Sequence, residues 1–247
     1  MRYKPTMRST RGNNIVSFDM KKEFLGLTIG FVFSLFITLI TIDRASAEKI
    51  IEFYGGFQTS PHSVVDGEFP VASEIIEKRR FNAGWKGKSF VMPPYYGLRF
   101  TSWRKNVGWG LDFTHSKAYL EEKTKAEVGF ELLEFTDGLN NLTFHRQEKY
   151  YQAQWGSELY YGLGLGVIVP HVEVQVESFS PKTYEYQFGG PSVAFNSGVM
   201  APWGERKYIF SEYKFTASWL NVDLTGGGSM KTLLLTNALN VGLGFQF

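Results

Sequence analysis

The sequence predicts an all-β fold: an eight-stranded antiparallel up-and-down transmembrane β-barrel, preceded by a cleavable N-terminal signal helix. Three observations carry this. Residues 1–47 read as an export leader, and residues 48–247 alternate apolar with small or polar residues at a period of two. Eight such segments are joined by connections that are short and long in turn, the pattern of an outer-membrane barrel.

The leader comes first in the chain. Met20-Lys-Lys-Glu-Phe is a short basic start, Phe24 to Ile42 is an uncharged apolar run of 19 residues, and Ala45-Ser46-Ala47 supplies an A-x-A site. The run also has the length of an uncleaved membrane anchor. Residues 1–19 read as an upstream extension, with Met20 as an alternative start. Taking away the seven basic and three acidic residues of 1–47 from the 26 and 24 of the whole chain leaves 19 and 21, a net charge of −2. The basic pI therefore belongs to the leader, and no nucleic-acid partner is expected. The chain has no cysteine, which excludes a lipoprotein anchor, thiolate catalysis and iron–sulfur clusters.

The strands follow in order. Ile51, Phe53, Gly55 and Phe57 alternate with Glu52, Tyr54, Gly56 and Gln58. Tyr96, Leu98 and Phe100 alternate with Gly97, Arg99 and Thr101, then Arg104-Lys-Asn106 turns the chain into Val107, Trp109, Leu111 and Phe113. Residues 139–150 form the fourth strand; Leu159 to Val167 the fifth; 193–200 the sixth. In the seventh, Ile209, Tyr213, Phe215 and Trp219 share one face while Glu212, Lys214, Thr216 and Ser218 share the other; the eighth runs from about Met230 to Phe247. Short turns are expected at 104–106, about 151–157 and about 201–206, and long loops at about 61–92, 120–138, 178–192 and 224–229. The final strand, ending on Phe247, is expected to pair with the first and to carry the C-terminal signal read by the barrel assembly machinery. Gly162-x-Gly-x-Gly166 is not a dinucleotide loop, because that fingerprint needs glycine at 167, which is valine. Its glycines are expected to make room inside a narrow barrel.

Candidate chemistry gathers at one end. In this topology His62, His115 and His171 lie near the outer rim, whereas His145 lies low and reads as an interior filler. In "GVIVPHVEVQVE" the apolar positions are odd before Pro170 and even after it. That slip predicts a bulge at Pro170 which turns His171, Glu173, Gln175 and Glu177 inward. Asp112, Arg99, Glu52, Glu212 and Lys214 also point inward by parity, where charge pairs fill small barrels. His115 would face outward unless a second bulge follows Phe113. No nucleophile elbow, HExxH or Walker loop is present.

Several stretches taken together resemble the lipid A oxidase family of rhizobia and related α-proteobacteria: "YGGFQTSPHS" (54–63), "AGWKGKSFVMPPYYGLR" (83–99), "GLDFTHSKAY" (110–119), "LEFTDGLN" (133–140), "VPHVEV" (169–174), "TYEYQFGGP" (183–191), "EYK" (212–214) and "GGGSMKTLLLTNALNVGLGF" (226–245). The resemblance implies an outer-membrane monomer that oxidises the proximal glucosamine of lipid A to 2-aminogluconate, consuming molecular oxygen and releasing hydrogen peroxide. His62, Asp112, His115, His171, Glu173 and Glu212 fall within those stretches and are the candidate catalytic residues. Because side chains without cysteine are poor two-electron acceptors, a metal or an organic cofactor is expected; imidazole and carboxylate ligands suit iron or copper, held by two or three of His62, His115 and His171 and a carboxylate, with Glu173 or Asp112 taking the proton. Lys78, Arg79, Arg80, Lys86 and Lys88, interleaved with Phe81 and Trp85, are candidates for meeting lipopolysaccharide phosphates. Two other readings stand beside this one. One is a non-enzymatic lipopolysaccharide-associated barrel; the other is a deacylase pairing Ser60, Ser63 or Ser116 with a histidine.

Overall fold

The computed structural model describes residues 47–72, 74–178 and 180–247, so the expected leader, apart from Ala47, lies outside the described residues. Eight long strands make the wall: β1 (Glu48–Thr59), β5 (Tyr96–Arg104), β6 (Val107–Leu120), β7 (Leu132–Gln152), β8 (Glu158–Gln175), β10 (Gly190–Pro202), β11 (Lys207–Asp223) and β12 (Ser229–Gln246). Each pairs antiparallel with its neighbour, and β1 closes on β12 from Ile50↔Gln246 to Thr59↔Asn237. Closure is what an apolar solvent demands of a sheet, since an open edge would leave a row of unpaired N–H and C=O groups.

One end carries short turns, at 105–106, 153–157 and 203–206. At the other end the expected loops contain structure. The first holds β2 (Ser63–Ala72), β3 (Ile75–Ala83) and β4 (Trp85–Lys86); the second holds helix α1 (Glu122–Val128); the third holds β9 (Thr183–Tyr186). These pieces extend the wall upward. β2 pairs with the top of β12, β4 with the top of β6, and β9 with the top of β8.

The two faces differ as the alternation requires. Outward residues such as Phe53, Leu163, Leu165 and Val241 are exposed, Leu165 at 71 %. Tyr150, Tyr151, Trp155, Trp203 and Phe247 ring the short-turn end, while Tyr184, Tyr186, Phe188 and Trp219 lie towards the other. An apolar band between two aromatic girdles is what a bilayer selects. Inside, the barrel has two storeys. The lower is ionic, centred on Arg99; the upper is an apolar core that includes Val65, Phe69, Trp85, Leu133, Phe135, Val172, Val174, Leu220 and Met230.

This upper storey overturns the expected bulge at Pro170. Even-numbered residues of β8 face the interior throughout: Tyr160, Gly162 and Gly164 below, then Ile168, Pro170, Val172 and Val174 above. The interior changes from a crowded polar storey to a packed apolar one, so the same face changes from glycine to valine. That change mimics a slip in parity. His171 and Glu173 therefore face outward, and Gln175 bonds locally to the Ser178 and Ser180 carbonyls. The irregularities lie elsewhere, between Ser116 and Ala118 on β6 and between Glu134 and Leu139 on β7.

The glycines of β8 do make room. A Cβ at Gly162 would overlap the Asn196 amide, and one at Gly166 would overlap the Leu142 carbonyl oxygen on the neighbouring strand. Backbone cannot yield as a side-chain tip does. Gly166→Val is expected to cost about 1–3 kcal/mol or more and to lower the urea midpoint for unfolding in detergent. An unchanged midpoint would contradict the close approach of β7 and β8.

Candidate functional site

The candidate residues fall in three separate places. Asp112 and Glu212 lie in the ionic storey. Arg99, fully buried, donates from Nε to Asp112 Oδ2 (3.0 Å) and from both Nη atoms to Glu212 (3.0 and 2.6 Å), and its Nη1 is 3.4 Å from Glu52 Oε2. Lys214 Nζ donates to Asp112 Oδ2 (2.8 Å) and Thr114 Oγ1 (2.6 Å). The Tyr160 hydroxyl, Asn196 and Asn240 complete Glu212, and the Tyr208 hydroxyl bonds Glu52. Every carboxylate here accepts from donors inside the protein, so Asp112 and Glu212 tie the strands of the lower storey together. His145 is buried in the same storey with Nε2 3.0 Å from Thr101 Oγ1, the filler its position predicted.

His115 and His171 lie on the opposite side of the wall. Along one rung, Tyr96 pairs with His115, His115 with Asn140, and Asn140 with Val169. The register shift between β6 and β7 falls beyond His115, which faces outward. One rung below, Leu98, Phe113, Leu142 and Val167 are all apolar. His171, two residues further up β8, pairs with Tyr186 of β9.

Although they face outward, both imidazoles are buried. The bulge on β7 throws Thr136, Asp137 and Gly138 over them. Gly138 has φ +118°, and a Cβ there would overlap the His115 ring, so glycine is required twice over. Asp137 Oδ2 accepts from the Tyr184 hydroxyl (3.2 Å) and lies 3.6 Å from His171 Nδ1; its carbonyl accepts from the Tyr186 hydroxyl (2.9 Å). The His171 ring meets Tyr184 and Tyr186 edge-on at 4.5 and 4.6 Å. His115 Nδ1 is 3.0 Å from Asn140 Oδ1. That oxygen only accepts, so Nδ1 carries the proton and Nε2 keeps its lone pair. Nε2 is buried without a partner, as is His171 Nδ1. Unsatisfied buried nitrogens on two histidines of one face are costly unless something uses them.

His115 borders an open groove lined also by Pro93, Tyr96, Phe113, Asp137, Asn140, Leu142, Val169 and Tyr186, and His171 lies beside it against Tyr186. Above it, beyond the apolar band, Glu173 bonds Thr136 and pairs with Lys182 at 2.5 Å. Burial, and then the Glu173 carboxylate, holds Glu134 above the usual carboxylate range.

The expected metal centre does not form. His62 is exposed in the β1–β2 connection, apart from this groove, and among the described residues no three His, Asp or Glu side chains are placed to hold a metal ion. The basic loop carries its own acidic partners. Arg79 pairs with Glu77, Arg80 with Asp66 and Lys78 with Glu68, while Trp85 is core. Ser63 is tied to Thr232 and Trp85, and Ser116 to the Leu139 carbonyl, so neither pairs with a histidine. Asp137 and Asn140 were not expected from the sequence.

Gly138→Ala is expected to displace His115 while the barrel still folds. Its imidazole chemical shifts should change and the unfolding midpoint should fall; unchanged shifts would contradict the contact.

A closed eight-stranded wall, apolar outside and ionic within, defines a transmembrane β-barrel of the outer-membrane type. Solved structures similar in fold include Neisserial surface protein A (11 % identity over 81 % of this chain and 97 % of that one, TM-score 0.44). The outer membrane protein OprG from Pseudomonas aeruginosa matches at 13 % identity over 82 % and 96 %, with a TM-score of 0.44. Ail, the attachment invasion locus protein of Yersinia pestis, in complex with the heparin analogue sucrose octasulfate, matches at 14 % over 79 % and 99 %, with a TM-score of 0.34. No family model and no curated protein matches the chain.

Proposed function

We propose that this outer-membrane barrel oxidises the proximal glucosamine of lipid A to 2-aminogluconate, with molecular oxygen reduced to hydrogen peroxide. One observation carries the reading. Five stretches that resemble the lipid A oxidase family (83–99, 110–119, 133–140, 169–174 and 183–191) supply Tyr96, His115, Asp137, Asn140, Val169 and Tyr186 to one groove on the outer face, with His171 and Tyr184 packed beside it against Tyr186 and Asp137. Lipid A stands beside that face, whereas the barrel interior is filled.

In this chemistry the anomeric carbon loses its hydrogen and the hydroxyl its proton. Two electrons and two protons pass to oxygen, giving peroxide and a lactone, which water opens to the acid. His115 Nε2, held as a base by the Nδ1 bond to Asn140, takes the hydroxyl proton. Asp137 and the tyrosine hydroxyls orient the sugar. The donor set does not fit a three-ligand metal, and no step is assigned to one.

The test is mass spectrometry of C1-dephosphorylated lipid A incubated in air with the refolded barrel and with His171→Ala. The wild type should add one oxygen atom and release peroxide, and the variant should not. Unchanged lipid, with or without added iron or copper, would leave a structural lipopolysaccharide-associated barrel.

A further inference from the structure

The loop between β4 and β5 is unusual for one at a polar surface. Phe90 and Met92 are 78 % and 80 % exposed, with Val91 between them half exposed and Pro93 following. Four consecutive apolar residues in water would be a liability. Yet the loop is held firmly. Val91 N donates to Lys88 O, and Tyr95 N to Ser89 O. Ser89 Oγ bonds both the backbone N–H and the carbonyl of Gln58.

The carbonyls of Val91 and Met92 are the telling groups. Both accept from Nζ of Lys117, at 3.1 and 3.0 Å, and Lys117 is almost completely buried. A loop in water hydrates its carbonyls freely. Spending a buried ammonium on them makes sense where water is scarce, as at the edge of hydrocarbon. The Phe90 ring also lies 6.4 Å from Phe57, which continues the outward apolar stripe of β1 from Phe53. The loop thus prolongs the lipid-facing band. Pro93 then forms one bank of the groove that holds His115, whose opposite bank is Tyr186 and Asp137. Within that groove Phe113, Leu142 and Val169 are apolar, and His115, Asp137 and Asn140 are polar.

We propose that Phe90–Pro93 is a lip buried in the outer leaflet, and that the groove it borders takes a membrane amphiphile sideways from the lipid, one acyl chain against Phe113 and Leu142 and its polar head at His115, Asp137 and Asn140. This deepens the oxidase reading and rests on it only for the identity of the head. The substrate class is a sugar carrying fatty chains; the same sugar free in water is not taken.

The absence of cysteine allows single nitroxide labels. Phe90→Cys, Met92→Cys, Leu142→Cys, Leu165→Cys and Lys105→Cys are each labelled and reconstituted in phosphatidylcholine vesicles. Labels at 90 and 92 should favour oxygen over a water-soluble nickel chelate several-fold more than the turn label at 105, approaching the lipid-facing label at 165. Matching the turn label instead would overturn the lip. Adding C1-dephosphorylated lipid A should immobilise the label at 142, and its deacylated sugar should not. No response to lipid A, or equal response to both, would overturn the groove. Immobilisation without oxidation would keep the amphiphile site and remove the oxidase.

Discussion

Arg99→Leu should leave a barrel that barely folds. The guanidinium bridges Asp112 and Glu212 and approaches Glu52 in a compartment closed to water. Without it, three carboxylates face one remaining cation, Lys214. Removing one partner of a buried pair costs about 3–5 kcal/mol, because the surviving charge cannot be hydrated. A domain's whole stability is roughly 5–15 kcal/mol. The expected readout is loss of the heat-modifiable folded band on electrophoresis, or a large drop in urea midpoint. The double variant Arg99→Leu, Glu212→Leu should recover part of the loss, since it deletes a stranded charge along with its partner. A single variant as stable as the wild type would refute the network as the organiser of the lower storey.

His115→Gln should be as damaging to activity as Arg99→Leu is to folding, with the stability effects reversed. Glutamine still offers a donor to Asn140 Oδ1 but has no basic lone pair in place of Nε2. Losing a positioned base costs about 10²- to 10⁴-fold in rate. Peroxide release should fall by that order with KM little changed and the unfolding midpoint nearly intact. His171→Phe keeps the ring packing against Tyr184 and Tyr186 but loses the nitrogen facing Asp137, and it should behave likewise. Glu212→Gln supplies the contrast: lower stability, with the folded fraction still turning over. If Glu212→Gln abolished turnover in folded protein while His115→Gln left it unchanged, the site would have to lie inside the barrel.

The strands were legible because a barrel wall obeys one rule along its whole length. Alternation at Tyr96–Thr101, at Val107–Phe113 and in the final strand marks two faces, and charge at Arg99 and Glu212 tells which one is inside. The rule fails beyond the apolar band, where the polar face is free to look outward. On β8 the inner face runs from Gly162 and Gly164 to Val172 and Val174, so pattern alone put His171 on the wrong side. Asp137 and Asn140 were missed for a different reason. They carry no motif, and their role comes from a bulge that only strand pairing defines. A signal was present in "FTDGLN", since Asp-Gly inside a strand marks a place where the ladder is interrupted.

The two filled storeys have an electrical consequence. With Arg99 and its partners closing the lower half and Phe69, Phe135 and Met230 packed into the upper, the described residues leave no continuous path for ions from end to end. Inserted into a planar bilayer, the protein should add no current at any holding voltage. A cell could then raise its copy number without raising leakage of small solutes or admitting antibiotics.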